Sequence, residues 1–214
     1  MKRSVQPEFL DSLPPDDPAA RHSRRDLIKV NRLMGNFRWF ARILPPLLRP
    51  GDRILEIGAG TAELALRLGR AGVPVDALDL CPPPPAWPAE RIWHRADLHA
   101  FGGFGRYTVF IGNLVFHHFD DAELTALGAR LRPTARLVLA SEPSRSRLSQ
   151  LFCRVVGPVS GAHRVTRHDA HVSIAAGFRG HELARTLGLD AGDWTLHTPH
   201  GLMGANRLVA LRRP

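Results

Sequence analysis

From Ser23 onward, apolar residues recur at helical spacing. Leu27, Val30, Met34, Phe37, Ala41 and Leu44 fall three or four positions apart, in one stripe that Pro45 and Pro46 bring to an end. Ser23 and Asp26 are spaced like a capping box with Asp in place of Glu or Gln, so the pattern predicts an N-terminal amphipathic helix over 23–48. Residues 1–22 show no period and carry Pro14, Pro15, Asp16, Asp17 and Pro18; they read as an extended N-terminal arm that orders only against the body.

After Gly51 the period changes. Arg53 to Ile57 is a short apolar run ending at glycines, and Ala62 to Leu68 returns to helical spacing, which predicts strand, turn and helix. Gly72 closes that helix, and Val73 to Leu80 reads as a second strand stopped by the prolines at 82–85. Two parallel strands joined by a crossover helix form a right-handed βαβ unit. Further strands are predicted over 91–94, 107–112, 135–141, 195–200 and 207–211, and helices over 121–131, 145–156 and 180–187. This alternation predicts an α/β fold over 49–214, a mostly parallel seven-stranded sheet with helices on both faces. The last two strands are separated only by a turn around Gly201 to Ala205, so an antiparallel C-terminal hairpin is expected at one edge. No internal repeat is present.

Composition narrows the class further. An apolar share of 44% with 23% charged residues is that of a globular domain with a core of its own. The excess of 29 Lys plus Arg over 20 Asp plus Glu gives a net charge of +9, a field that attracts phosphates, anionic lipids or acidic small molecules. Almost all of these cations are arginine, with only Lys2 and Lys29 as lysines; this fits a basic solvated surface and leaves nucleic acid a partner in play but not favoured. Cys81 and Cys153 lack any zinc-type spacing, so no metal is expected and a reducing compartment is implied. Met1 to Leu10 lack an apolar signal core and no run is long enough for a membrane span, so the expected location is cytoplasmic.

The chemistry concentrates at Leu55-Glu56-Ile57-Gly58-Ala59-Gly60-Thr61. Gly58 and Gly60 allow a sharp turn and the approach of a ligand where a Cβ would collide, and the following helix points its first amides at that ligand. Asp79 ends the second strand, 23 positions after Glu56, where a carboxylate suits ribose hydroxyls. Glu56 discriminates between ligands: it would repel a pyrophosphate but attract an ammonium group. A dinucleotide fingerprint also fails, because GxGxxG would need glycine at Glu63.

The same segment resembles motif I of the class I S-adenosylmethionine-dependent methyltransferases, and the likeness extends over about Arg53 to Leu211. It implies a Rossmann-like domain with S-adenosylmethionine as cofactor. Glu56, Gly58, Ala59 and Gly60 would then hold the methionine end, and Asp79 with Leu80 the ribose. Ala62 stands where the family often has a third glycine, and Cys81-Pro82 where it commonly has Ser-Pro. Asp97 and Leu98 resemble the segment that contacts adenine, and an exposed loop Asp is the plain alternative. Asn113-Leu114-Val115-Phe116-His117-His118-Phe119 is similar to the N-x-x-x-HHF segment of many small-molecule methyltransferases, which implies that Asn113 lies near the transferred methyl group or the methionine end of the cofactor. The Asp-Pro-Pro-Tyr and Asn-Pro-Pro-Tyr elements of enzymes that methylate exocyclic amines of bases are missing there.

By the same resemblance His117 aligns with the general-base histidine of plant-type O-methyltransferases. In relatives that methylate carbon, such a ring only bonds loop backbone, so both roles stay open. Insertions after the fifth strand commonly form a lid, here near 144–180, where Arg164, Arg167, His168 and His171 could face an acidic or phenolic acceptor. His168 is the second base candidate; a polar loop capped by Asp169 is the alternative. Leu148, Leu151, Phe152, Val155 and Val156 offer an apolar wall, and Asn31, Met34 and Asn36 are the contact candidates on the N-terminal helix. The expected activity is O-methylation of an aromatic or polyketide-like small molecule. C-methylation is one alternative, and an RNA-modifying enzyme using Arg21, Arg24, Arg25, Arg32 and Arg38 is another. Oligomeric state is open.

Overall fold

The computed structural model describes residues 1–14, 16–156, 161–190, 192–199, 201 and 204–214, without the side chains of Phe152 and Val156. Its centre is a seven-stranded sheet in the order β3-β2-β1-β4-β5-β7-β6. The strands are β1 (Ile54–Ile57), β2 (Asp76–Asp79), β3 (Trp93–Arg95), β4 (Val109–Asn113), β5 (Leu137–Pro143), β6 (Trp194–His197) and β7 (Ala205–Arg212). β1 to β5 pair in parallel, and β7 runs antiparallel to both β5 and β6. The expected Rossmann-like sheet with an antiparallel C-terminal hairpin is therefore what forms. Chain order reverses between β1 and β4, and in such sheets the ligand crevice opens at the carboxyl ends of the strands beside that reversal.

Eight α-helices accompany the sheet among the described residues: α1 (Phe9–Ser12), α2 (Pro18–Leu33), α3 (Asn36–Ile43), α4 (Glu63–Arg70), α5 (Asp121–Leu131), α6 (Arg147–Val156), α7 (Arg164–Ala176) and α8 (Glu182–Thr186). Side chains alternate across each strand and so feed two cores. Phe110, Val138 and Ala140 meet Leu124 and Leu127 of α5 and Leu183 of α8 on one face. Ile111, Leu139 and Val209 meet Phe37 and Phe40 of α3 and Leu64 and Leu68 of α4 on the other. β1 and β5 are buried at every position, so they do not alternate apolar with polar residues, and their polar members Glu56, Ser141 and Glu142 are enclosed with the rest.

The amino-terminal third departs from the sequence pattern in three ways. The arm is not merely extended: it contains α1, and α2 begins at Pro18, where Asp17 caps the helix by accepting from the Ala19 amide. Ser23 and Asp26 lie inside α2, buried, and bond to Thr166 of α7 instead of forming a cap. The single stripe over 23–48 is interrupted at Gly35, whose φ of 68° ends α2 and resets the helical phase for α3. In consequence Ala41 faces solvent while Phe40, outside the stripe, is fully buried. A further correction concerns 164–176. The polar loop that is one of two expectations for Arg164 to His171 does not form; the stretch folds as α7, its first turn capped by the His163 ring, which accepts from the Val165 amide.

Candidate functional site

The glycine turn connects β1 to α4. Gly58, Gly60 and Ala62 all have positive φ (64°, 53° and 57°), so Ala62 takes the left-handed conformation that a glycine there would adopt without strain. A Cβ on Gly58 would lie 2.2 Å from a methyl of Val115; the close approach that excludes a side chain is made by the protein itself, not left to a ligand. Around Gly60 the space is open.

Asp79 ties the turn to the end of β2. One carboxylate oxygen accepts from the Gly60 amide at 2.7 Å and the other from the Cys81 amide at 2.8 Å. Each oxygen keeps a lone pair for a further donor. Glu56 is 2% exposed and accepts from the Ala65 amide of α4 at 3.0 Å. Burial pushes its pKa up to about 8, assisted by the charge of Asp79 and opposed by the Ala65 bond. Burial thus favours the protonated form of Glu56 in the free protein. Leu80 is exposed, Asp97 is exposed with its carboxylate on the His99 amide at 2.7 Å, and Leu98 is half-buried.

A second polar group sits at the ends of the next strands. Asn113 on β4, Ser141 on β5 and Arg207 on β7 are register neighbours and form a row across three strands. Asn31 and Asn36, from the α2–α3 corner, lie over that row. Asn113 donates to Asn31 at 2.9 Å, Asn36 donates to Asn113 at 3.1 Å, and Ser141 donates to Asn36 at 2.9 Å. Arg207 donates to the Met34 carbonyl at 2.9 Å and lies over the Trp39 ring, while its buried Nε has no hydrogen-bond partner among the described residues. The sequence pointed to the asparagines but not to Ser141 or Arg207, which look like ordinary strand positions until the register is known.

The structure treats the two histidine candidates differently. His117 is 3% exposed, with Nδ1 2.7 Å from Glu142 and Nε2 3.4 Å from Glu8. Burial alone would depress its pKa, but the hydrogen bonds and charges of Glu142 and Glu8 overcome that and raise it to about 9. An imidazolium with both nitrogens turned to carboxylates has no lone pair for an acceptor's proton, so in this conformation His117 does not meet the geometry of a general base. Glu142 is fully buried and also accepts from the amides of Val115, Phe116 and His117. Neither Glu142 nor Glu8 carries a local signal in the sequence. A Ser-Glu-Pro strand end and a glutamate in an aperiodic arm acquire meaning only through tertiary contact.

His168 is partly exposed on α7, its Nδ1 3.0 Å from Asp169 and its ring stacked on Phe9 at 3.7 Å. With Arg164, Arg167, His171, Cys153 and Arg154 it lines a cavity of about 400 Å³. A second cavity, about 520 Å³, opens above the ends of β5 and β6 and the start of β7, with Arg145, Arg147 and Arg179 on its walls. Leu148, Leu151 and Val155 of the expected apolar wall are exposed to solvent; the side chains of Phe152 and Val156 lie outside the described residues, as does His200 of the predicted sixth strand.

This architecture has known counterparts. The sequence profile of the family described as Methyltransferase domain matches residues 21–185, most of the chain. The chain belongs to that family, and it is a methyltransferase of class I architecture. No curated protein matches it in sequence. Among solved structures, the plantazolicin methyltransferase BpumL in complex with SAH superposes with a TM-score of 0.70 at 10% identity, covering 96% of this chain and 93% of that one. Magnesium protoporphyrin IX methyltransferase from Synechocystis PCC 6803, with bound SAH, gives 0.52 at 17% identity over 98% and 89%. The pyocyanin biosynthetic protein PhzM gives 0.55 at 19% identity over 95% of this chain and 60% of that one. No helix among the described residues is long and apolar enough to cross a membrane.

Proposed function

We propose that the protein transfers the methyl group of S-adenosylmethionine to a small-molecule acceptor. The observation that carries this reading is Asp79 bonded to the Gly60 amide beside buried Glu56, one unit of carboxylates and open glycine turn at the reversal point of the sheet. The sugar hydroxyls would take the remaining lone pairs of Asp79, with Leu80 alongside. The methionine ammonium would lie near Glu56 and the turn at Gly58, Ala59 and Gly60. Asp97 and the Leu98 amide would receive the adenine, and Asn113 would border the methyl group. An ammonium beside Glu56 would favour the carboxylate, so cofactor binding would draw the Glu56 proton off. The solved neighbours named for plantazolicin and magnesium protoporphyrin IX act on small molecules, which supports that acceptor class.

The acceptor atom is oxygen in our reading, on an aromatic or polyketide-like metabolite. Methyl transfer is an in-line displacement: the acceptor oxygen forms a bond to the methyl carbon, the sulfur–carbon bond breaks, and S-adenosylhomocysteine and one proton leave. Positioning supplies much of the rate. His117 is committed to Glu142 and Glu8, so His168, oriented through Nδ1 by Asp169, is the base candidate we retain. Arginines on both cavities suit an acceptor that is acidic or already ionised.

Calorimetry with S-adenosylmethionine and S-adenosylhomocysteine tests the cofactor reading, and a screen of small phenols and carboxylic acids tests the acceptor. One-to-one binding that disappears in Asp79→Ala is the expected result. Absence of binding to either compound overturns the proposal, and salt-dependent RNA binding with no small-molecule turnover would favour the RNA-modifying alternative.

A further inference from the structure

Glu8, His117 and His118 each bring one ligand atom within 4.8 Å of the other two, at the junction of the amino-terminal arm and the turn after β4. From this cluster the structure assigns a site for a divalent transition-metal ion of the zinc class, which fastens the arm to the domain. The inference is independent of the methyl-transfer reading.

Three features support it. The first is spacing. Glu8 Oε1 and His117 Nε2 stand 3.4 Å apart, long for a charge-assisted hydrogen bond. Two ligands bound tetrahedrally at about 2.0–2.1 Å are separated by about 3.4 Å, so this pair already has the edge length of a zinc polyhedron. The second is the shell behind the ligands. His117 holds Nδ1 at 2.7 Å from buried Glu142, which is itself fixed by the amides of Val115, Phe116 and His117. A carboxylate behind a histidine sets the tautomer that presents Nε2 as a lone pair, the usual arrangement behind a metal-bound imidazole. Glu8 is steadied likewise, by the Ser173 hydroxyl.

Charge is the third feature. Glu8 and Glu142 are both buried, at 7% and 0% exposure, with one imidazole between them. Bound to a neutral His117, a dication balances both carboxylates, whereas a single proton on the ring leaves one negative charge over. The Arg3 guanidinium is engaged by the carbonyls of Ala176, His117 and Phe119 and by Asp121. His118 completes the protein ligands from the solvent side, and its Nδ1 lies 3.3 Å from Asp11 of the same arm. With nitrogen and oxygen donors and no thiolate, the set suits zinc, cobalt or nickel rather than calcium or magnesium.

The test uses the full chain, stripped with a chelator and titrated with zinc alone against a competing chromophoric chelator. One zinc per chain is expected, with a raised Tm and slower amide exchange over residues 1–14. His118→Ala, which removes a partly exposed ring, and Glu8→Gln, which keeps the shape of the buried side chain, should each weaken binding at least tenfold. Glu142→Gln should weaken it about 10–100-fold through the orientation of His117. His171→Ala, an exposed histidine elsewhere, should leave affinity unchanged. Absence of zinc binding by the stripped wild-type chain overturns the assignment, as does binding that His118→Ala and Glu8→Gln leave unaltered. A parallel titration with S-adenosylhomocysteine reports on the cofactor site separately.

Discussion

The glycine turn and the arm junction both set carboxylates among backbone amides, yet they are built for opposite ends. At the turn, Asp79 accepts one amide on each oxygen and keeps lone pairs facing an open Gly60. At the junction, Glu142 accepts three amides and an imidazole and is fully enclosed. The first carboxylate is under-used in the free protein and the second is saturated. Spare acceptor capacity marks a place for a ligand, whereas saturation marks a joint. That contrast also explains why His117, placed by its sequence neighbours near the reaction, holds the arm in this conformation instead of facing an acceptor.

Loss of Glu142 should disturb the molecule most. Glu142→Ala leaves three buried amides and His117 without their acceptor, and should lower stability by about 3–5 kcal/mol in urea unfolding while the S-adenosylhomocysteine affinity of the folded fraction changes little. Equal loss of affinity would show that the junction belongs to the cofactor site. Next in size, Asp79→Asn should reduce S-adenosylhomocysteine affinity about 10–100-fold, the worth of roughly 1.5–3 kcal/mol for bonds to a charged group, with a smaller effect on Tm.

Glu56 gives a pH signature. Its folded pKa of about 8 lies above the unfolded value near 4.5, so the folded state binds the extra proton between those limits and stability falls as pH rises from about 4.5 to about 8. Glu56→Gln should flatten that part of the Tm profile. In the same window, calorimetry in buffers of different ionisation heat should detect proton release on S-adenosylmethionine binding by the wild type and none by the variant. The smallest effect is expected from Arg3→Ala. Arg3 pairs with highly exposed Asp121 and donates to three carbonyls, and its loss should cost about 1 kcal/mol, visible mainly as faster amide exchange in the arm.

How far the sequence was legible follows from the range of the interactions involved. β1, the glycine turn and α4 are set by neighbours within a dozen residues, and their residues could be named in advance. α5 is equally local, since Asp120 and Glu123 form a reciprocal capping box at its start. Where a position is decided by a distant partner, the reading erred. Ser23 and Asp26 have the spacing of a cap but are claimed by Thr166, and the 164–176 segment looks like a loop until α2 and the arm supply partners for its polar face.

The chain alone determined the α/β alternation, the antiparallel end, and the carboxylates beside the glycine turn, because periodicity and turn chemistry act over a few residues and survive without tertiary context. Only the folded structure decided which acids and imidazoles meet: Glu8 with His117, Glu142 with the turn after β4, Arg207 with the α2–α3 corner. Those encounters join segments remote in sequence. Their energies come from desolvation and pairing, which exist only once the sheet has brought the partners together.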